Sequence, residues 1–176
     1  LSGLIGTRRL AEAEQVILGM ADVLRYSLKG EPGDTVPLRD EVRAQRTYLD
    51  IETIRFGERL QVAIDLSAEA QAALVPALIL QPLVENAVKH GVGRSETPIR
   101  VAIGAARHGE ALVCWVENDV GQAPAGQAEN LGLGLSNVSR RLAALYGPAA
   151  GLEAGPTADG GWRSEARLPF VTGAAG

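Results

Sequence analysis

The stretch Leu80-Gln81-Pro82-Leu83-Val84-Glu85-Asn86-Ala87-Val88-Lys89-His90-Gly91 sets a tight polar cluster on an apolar segment. On a helix, Asn86, Lys89 and His90 stand at i, i+3 and i+4 and share one face. Gln81 and Glu85 form a second i, i+4 pair beside it, while Leu80, Leu83, Val84, Ala87 and Val88 can turn inward. Such a cluster on the rim of an apolar helix suits a metal-bound phosphate. Asn86 offers a neutral oxygen to Mg²⁺, which keeps several waters and takes few protein ligands alongside substrate phosphates. Lys89, one turn on, can meet a phosphate as a point charge. His90 would lie against sugar or phosphate, or be a packed, hydrogen-bonded histidine. Glu85 could orient or deprotonate an acceptor, or be a plain surface residue. A solvated polar face would read the same way. What shifts the balance is Leu131-Gly132-Leu133-Gly134-Leu135-Ser136-Asn137-Val138, where two glycines let backbone approach a phosphate and the next helix presents unpaired N–H groups. A lone Gly-x-Gly is weak; behind the asparagine cluster it becomes specific.

The elements that must hold these residues follow from periodicity. Leu10, Ala13, Ile17, Met20, Leu24 and Ser27 recur in steps of three and four, with Val16 and Val23 widening the stripe, which predicts a helix to about Leu28. Lys29 to Asp34 carries Gly30, Pro32 and Gly33 and stops it. A second helix is expected from Leu38 to the Arg55-Phe56-Gly57 step, with Asp40 and Glu41 in the first turn where the dipole favours acids. The pair makes a helical hairpin, either packed against the rest of the chain or serving as half of a dimerising bundle.

Residues 59–66 alternate as a half-buried strand, and 69–73 read as a short helical or irregular lead-in. Pro82 fits the first turn of the asparagine helix. After a polar loop at Gly93–Thr97, two strands are expected at Ile99–Ile103 and Leu112–Val116, joined through Ala106–Glu110. Residues 117–130 show no periodicity and read as a long loop, of a length that is usually either a functional lid or disordered. A helix is predicted from Gly134 to Tyr146, then strands at 151–155 and 162–168 around the hairpin signal Asp159-Gly160-Gly161. This order fits an α+β chain with helices layered on one face of a mixed sheet. The divisions expected are a helical hairpin over 1–57, a ligand-binding domain over 58–170 and a frayed tail over 171–176.

With 46% hydrophobic and 22% charged residues over 176 positions, the chain can bury one full core. A net charge of −4 gives no reason to expect a nucleic-acid partner. The single cysteine, Cys114, excludes an intrachain disulfide and reads as a small core residue in a strand. No apolar run approaches the roughly 20 residues of a membrane span, and there is no charged-then-apolar leader of the secretory kind. This stretch is expected to make no membrane contact, and the location expected is cytoplasmic, as part of a membrane-bound or a soluble protein. Opening within a helical pattern at Leu1, Leu4 and Ile5 suggests a piece of a longer protein.

Leu80–Gly91, Gly132–Val138 and Arg141-Leu142, with Leu24-Arg-Tyr-Ser-Leu28 and Tyr48-Leu-Asp-Ile-Glu52 running into Arg55-Phe56, resemble sensor histidine kinases of the LytS type within the GHKL ATPase superfamily. The likeness spans nearly the whole chain. It implies the Bergerat fold, a two-layer α/β sandwich, with ATP and Mg²⁺ as ligands. Asn86 would hold the metal; Glu85 and Lys89 would assist transfer. Lys89, His90 and the run Gly132, Leu133, Gly134, Leu135, Ser136 and Asn137 would line the nucleotide.

The resemblance also implies a homodimer through the helical hairpin, and a response regulator that receives the phosphate from a histidine. Family members place that histidine just upstream of the part resembling Leu1–Ile5. This chain has only His90 and His108, and neither stands in that context. Related ATPases that hydrolyse ATP carry a glutamate four residues before the asparagine. Pro82 stands there, which fits transfer to a histidine better than hydrolysis.

The adenine motif departs from the family's Asp-x-Gly-x-Gly. Counting from Val116 puts Asn118 at the acid's place; counting from the glycines puts Asp119 there, with Gly121 kept and Ala123 replacing the second glycine. An asparagine carbonyl accepts the same bond more weakly. The altered motif also leaves room for a signalling module with a decayed site, and the superfamily for a serine kinase.

Overall fold

The computed structural model describes residues 12, 14, 16–21, 34–92, 97–119 and 132–173. Residues 16–21 are helical, with Val16 and Gly19 buried and Ile17, Leu18 and Met20 exposed. A methyl on Gly19 would sit 2.8 Å from Ile51, so the glycine permits close packing on the next helix. The buried side is therefore one position off the expected Ile17–Met20 seam. The turn expected at 29–33, most of the long loop at 117–130, and the loop residues 93–96 lie outside the described residues.

Three-residue strand β1 (Thr35–Pro37) leads into α1 (Leu38–Phe56), and β2 (Leu60–Leu66) follows a short 3-10 turn. Next come α2 (Ala68–Gln71), capped by the Ser67 hydroxyl, and β3 (Leu74–Pro76). α3 (Gln81–His90) has Pro82 in its first turn, where the missing N–H costs nothing. β4 (Ile99–His108) and β5 (Ala111–Asn118) form a hairpin about Gly109, whose φ of +62° favours glycine. α4 (Leu133–Tyr146), β6 (Gly151–Pro156) and β7 (Trp162–Pro169) complete the order.

The main sheet runs β2-β4-β5-β7-β6, parallel only between β2 and β4; β1 and β3 pair as a separate antiparallel ribbon. Ile99, Val101, Ile103 and Ala105 alternate into the core; Ile103 and Ala105 are in register with Val116 and Cys114 of β5, which pair in turn with Ser164 and Ala166 of β7. α1 packs by β2, α3 over β4 and β5, and α4 over β6 and β7, which gives the helix-on-sheet sandwich.

Several expectations needed revision. β1 and β3 were not foreseen. β4 runs five residues past Ile103, so His108 is an exposed strand residue paired with Ala111 rather than part of a wide turn. At the tail, Val171 accepts from the Leu74 N–H at 2.6 Å and Thr172 bridges Ala73, so the chain is bound there rather than frayed; 174–176 lie outside the described residues. Leu38, Val42 and Leu49 of α1 join the same core cluster as the sheet and α3, so this helix packs against the rest of the chain. Cys114 is fully buried, and its burial, with the charges of Glu41 and Glu165, pushes the thiol up to about 12. At neutral pH it is an inert core residue.

Candidate nucleotide cleft

α3 buries Leu83, Val84, Ala87 and Val88 against the sheet, and this fixes where its polar residues point. Pro82, Asn86 and His90 follow one another at steps of four along α3, and Pro82 lines a cleft with Asn137, Val138 and Arg141 of α4. A methyl on Gly134 would lie only 3.4 Å from the Pro82 ring, so the glycine run starts against this flank. Gln81 and Glu85 turn the other way, towards α1, and their side chains are bonded at 2.8 Å. Asn86 is half-buried, and Lys89 and His90 are exposed. On α1, burial, together with the charges of Glu52 and Glu85, pushes the Tyr48 hydroxyl up to about 12. Burial also raises the Glu52 carboxyl, against the lowering effect of Arg55 at 3.5 Å. The structure thus brings Pro82, at the start of α3, beside Gly134 and places Glu85 within the electrostatic reach of Tyr48.

Gly132 and Gly134 are exposed at the start of α4, and Leu133 is 85% exposed. Leu135 anchors the turn in the core, Ser136 donates its N–H to the Gly132 carbonyl at 3.0 Å, and Asn137 accepts from Arg140. Among the described residues no side chain caps this helix, whose leading N–H groups lie at the positive end of its dipole.

The two adenine candidates separate cleanly. Asn118 lies on the helix-bearing face of β5, two residues past Val116, and is 2% exposed. A methyl on Gly91, at the end of α3, would sit 3.1 Å from the Asn118 amide nitrogen. Asp119 instead turns to the edge of β4, where its carboxylate accepts from the Arg100 N–H at 2.9 Å. Gly121 lies outside the described residues.

Gly91→Ala is expected to cost about 1–3 kcal/mol. The added methyl would also lie 2.6 Å from the Ala87 carbonyl, a backbone atom that cannot retreat without opening the helix end. Thermal unfolding measures the loss; an unchanged melting temperature would mean that the helix end yields freely.

One positioning group escaped the sequence reading. Glu41 is fully buried, and its carboxylate accepts from the N–H groups of Leu78 at 2.6 Å and Leu80 at 3.1 Å. Leu78 has φ +62°, a strained value for leucine. From the other side the Arg141 guanidinium donates to the Ala77 carbonyl. α1 and α4 thus grip the loop that launches α3. Beside it lies a cleft of about 120 Å³ lined mainly by Pro76, Leu78, Ile79, Pro82, Val138 and Leu142. An acid facing a backbone turn 37 residues away leaves no local signature, so only the fold reveals it.

The histidine kinase family model matches residues 1–60. Over 160 residues the chain is 37% identical to the sensor histidine kinase BtsS of Escherichia coli (strain K12), covering 90% of this chain and 28% of BtsS. It is 29% identical over 147 residues to the sensor protein LytS of Enterococcus faecalis (strain ATCC 700802 / V583), covering 77% of this chain and 25% of LytS. The chain thus spans about a quarter of the length of these relatives. Among solved structures, the catalytic domain of histidine kinase ThkA superposes with a TM-score of 0.61 at 11% identity, over 80% of this chain and 98% of that domain. Full-length ShkA in complex with AMPPNP gives 0.60 at 19% identity, over 99% of this chain and 39% of ShkA.

Proposed function

The chain belongs with the LytS-type sensor histidine kinases, and on that premise we propose that it binds Mg-ATP between α3 and the start of α4 and passes the γ-phosphate to a histidine upstream of Leu1, for relay to a response regulator. The observation that supports this reading is the closeness of Pro82 to Gly134, where an added methyl would lie 3.4 Å from the proline ring, so that the helix bearing Asn86 starts beside the exposed glycines. A neutral amide oxygen next to a backbone cradle is the donor set that a magnesium triphosphate needs. When bound, Mg²⁺ neutralises phosphate charge.

The chain's own groups then have separable tasks. Asn86 holds the metal, Lys89 adds a point charge at the phosphates, and the N–H groups after Gly132 orient them. Catalysis is by positioning: a histidine nitrogen bonds the γ-phosphorus while the bond to the ADP oxygen breaks. Glu85, exposed on the α1 side, can orient that histidine from outside the cleft, and Pro82 supplies no base for water. Asn118, buried against the end of α3, accepts from the adenine amine. Exposed Ile17, Leu18 and Met20 support a homodimer through the upstream helical segment.

Titration with a fluorescent ATP analogue, with and without Mg²⁺, tests the reading. Saturable, magnesium-strengthened binding is expected; its absence would favour a signalling module with a decayed site. Asn118→Ala is expected to weaken binding about tenfold, the size of one buried hydrogen bond. Asp119→Ala is expected to leave it within twofold, since that carboxylate serves the Arg100 backbone (about 0.4 kcal/mol at most). The reverse order would move the adenine contact to Asp119.

A further inference from the structure

Trp162 opens β7 as the cross-strand partner of Asn118. Ser164, Ala166 and Leu168, at even steps along β7, are buried on the helix-bearing face, so Trp162 shares that face with Asn118. Its indole Nε1 is buried, yet it has no hydrogen-bond partner among the described residues. Buried indole N–H groups ordinarily find one. The preceding hairpin holds the ring close. A methyl on Gly161 would lie 2.4 Å from the Asn118 backbone carbonyl, so only glycine lets the two strands approach so closely there. Trp115, the other tryptophan, lies on the opposite face, with the Arg163 guanidinium 4.5 Å over its ring.

Resting on the nucleotide reading above, we propose that Trp162 is a specificity-determining residue of the cleft, its Nε1–H donating to a ring nitrogen of adenine while the Asn118 side-chain oxygen accepts from the 6-amino group. On either edge, adenine presents that amino donor beside a ring-nitrogen acceptor, N1 or N7. An acceptor and a donor on adjacent strands complement this pair. Guanine presents O6 where adenine has its amine, so the Asn118 amide would have to turn its NH2 towards the base, and on the Watson–Crick edge the N1–H of guanine would meet the Trp162 donor. A site built to pair with a substrate group rejects an analogue that leaves its own groups unpaired. The neutral Asn118 is a weaker acceptor than a carboxylate, and the neighbouring N–H supplies a second point of recognition.

The test compares Trp162→Phe, which keeps a ring but removes the N–H, with Trp162→His, which keeps an N–H, and with Trp115→Phe as the control on the other face. Affinities for Mg-ATP, Mg-GTP and the magnesium complex of 7-deaza-ATP are measured by calorimetry on chains whose folding is checked by thermal unfolding. Trp162→Phe is expected to weaken ATP by about five- to tenfold and GTP little, compressing the preference; this is one hydrogen bond's worth. Trp162→His should recover part of it, and Trp115→Phe should change neither. With Trp162 as the sole tryptophan in Trp115→Phe, its fluorescence should change saturably with ATP, which serves even if Trp162→Phe does not fold. A selective loss for 7-deaza-ATP in wild type assigns the contact to N7, and equal affinity assigns it to N1. Equal losses for ATP and GTP, tighter binding in Trp162→Phe, or an unresponsive Trp162 in a chain that binds ATP would overturn the assignment. If the wild-type chain binds no nucleotide, the proposed function fails first and takes this inference with it.

Discussion

Asn86→Ala removes the magnesium-dependent part of nucleotide affinity, an expected loss of about 10- to 100-fold, the range for a bond to a charged partner. The melting temperature is expected to change by less than about 2 °C. The asymmetry follows from position. Asn86 is half-buried on α3, while the core contacts are made by Leu83, Val84, Ala87 and Val88. Truncation therefore empties no core volume, and alanine is the better helix former by roughly half a kcal/mol. On the proposed function, what is lost is the uncharged oxygen that would hold the metal. Calorimetry with Mg²⁺ and with EDTA separates the two components: only the first should fall. Unchanged affinity in magnesium would remove Asn86 from the site. A parallel fall in both would mean that the residue shapes the cleft rather than holding the metal.

Much of the placement of these candidate residues is legible in the sequence, because they sit on strongly periodic elements. The i, i+3, i+4 spacing of Asn86, Lys89 and His90 needs only a helix, and Pro82 marks where that helix starts. Asn118 is legible for the same reason: Cys114, Val116 and Asn118 share the strand's period of two, so whichever face buries Val116 also holds Asn118. Its neighbour Asp119 must then point away, as its bond to Arg100 shows.

Failures came where no period exists. β1 and β3 are three residues each, too short to alternate, and they form only because their ribbon ties the start of α1 to the approach of α3. Ala106-Arg107-His108 carries turn-like composition, yet pairing with β5 extends β4 through it. Tertiary partners override such weak local preference. The amphipathic pattern of α1 cannot say whether its apolar side meets the chain's own core or a second copy, since both demand the same leucines. Ile17 and Met20 illustrate the limit at one turn's scale. Their spacing marks an apolar stripe, but Gly19 against Ile51 decides which edge of it is buried.

Glu41→Ala should be the most destabilising single change near the site, about 3–5 kcal/mol, from two orphaned buried donors at roughly 1–3 kcal/mol each and the lost side-chain contacts. For a chain of this size that lowers the melting temperature by about 6–20 °C. Read from sequence, Glu41 is an acid complementing a helix dipole, an effect worth about 0.3–1 kcal/mol on an exposed helix. The structure gives it another task, since its two oxygens hold the Leu78 and Leu80 N–H groups while it is itself fully buried. The two accounts therefore differ several-fold in expected loss, and one denaturation curve decides between them.

Glu41→Gln sharpens the test. It preserves volume and one acceptor, so it should lose only part of the total, because its amide cannot accept the second N–H. Leu78→Gly in the Glu41→Ala background should recover some stability by removing the strain of the positive φ, roughly 1 kcal/mol. Nucleotide affinity should fall as well, because the released loop launches the helix that carries Asn86, which stands six residues beyond Leu80. A melting temperature within about 2 °C of wild type for Glu41→Ala, less than 1 kcal/mol at this length, would show that water satisfies those donors and that the grip on the loop comes from Arg141 alone.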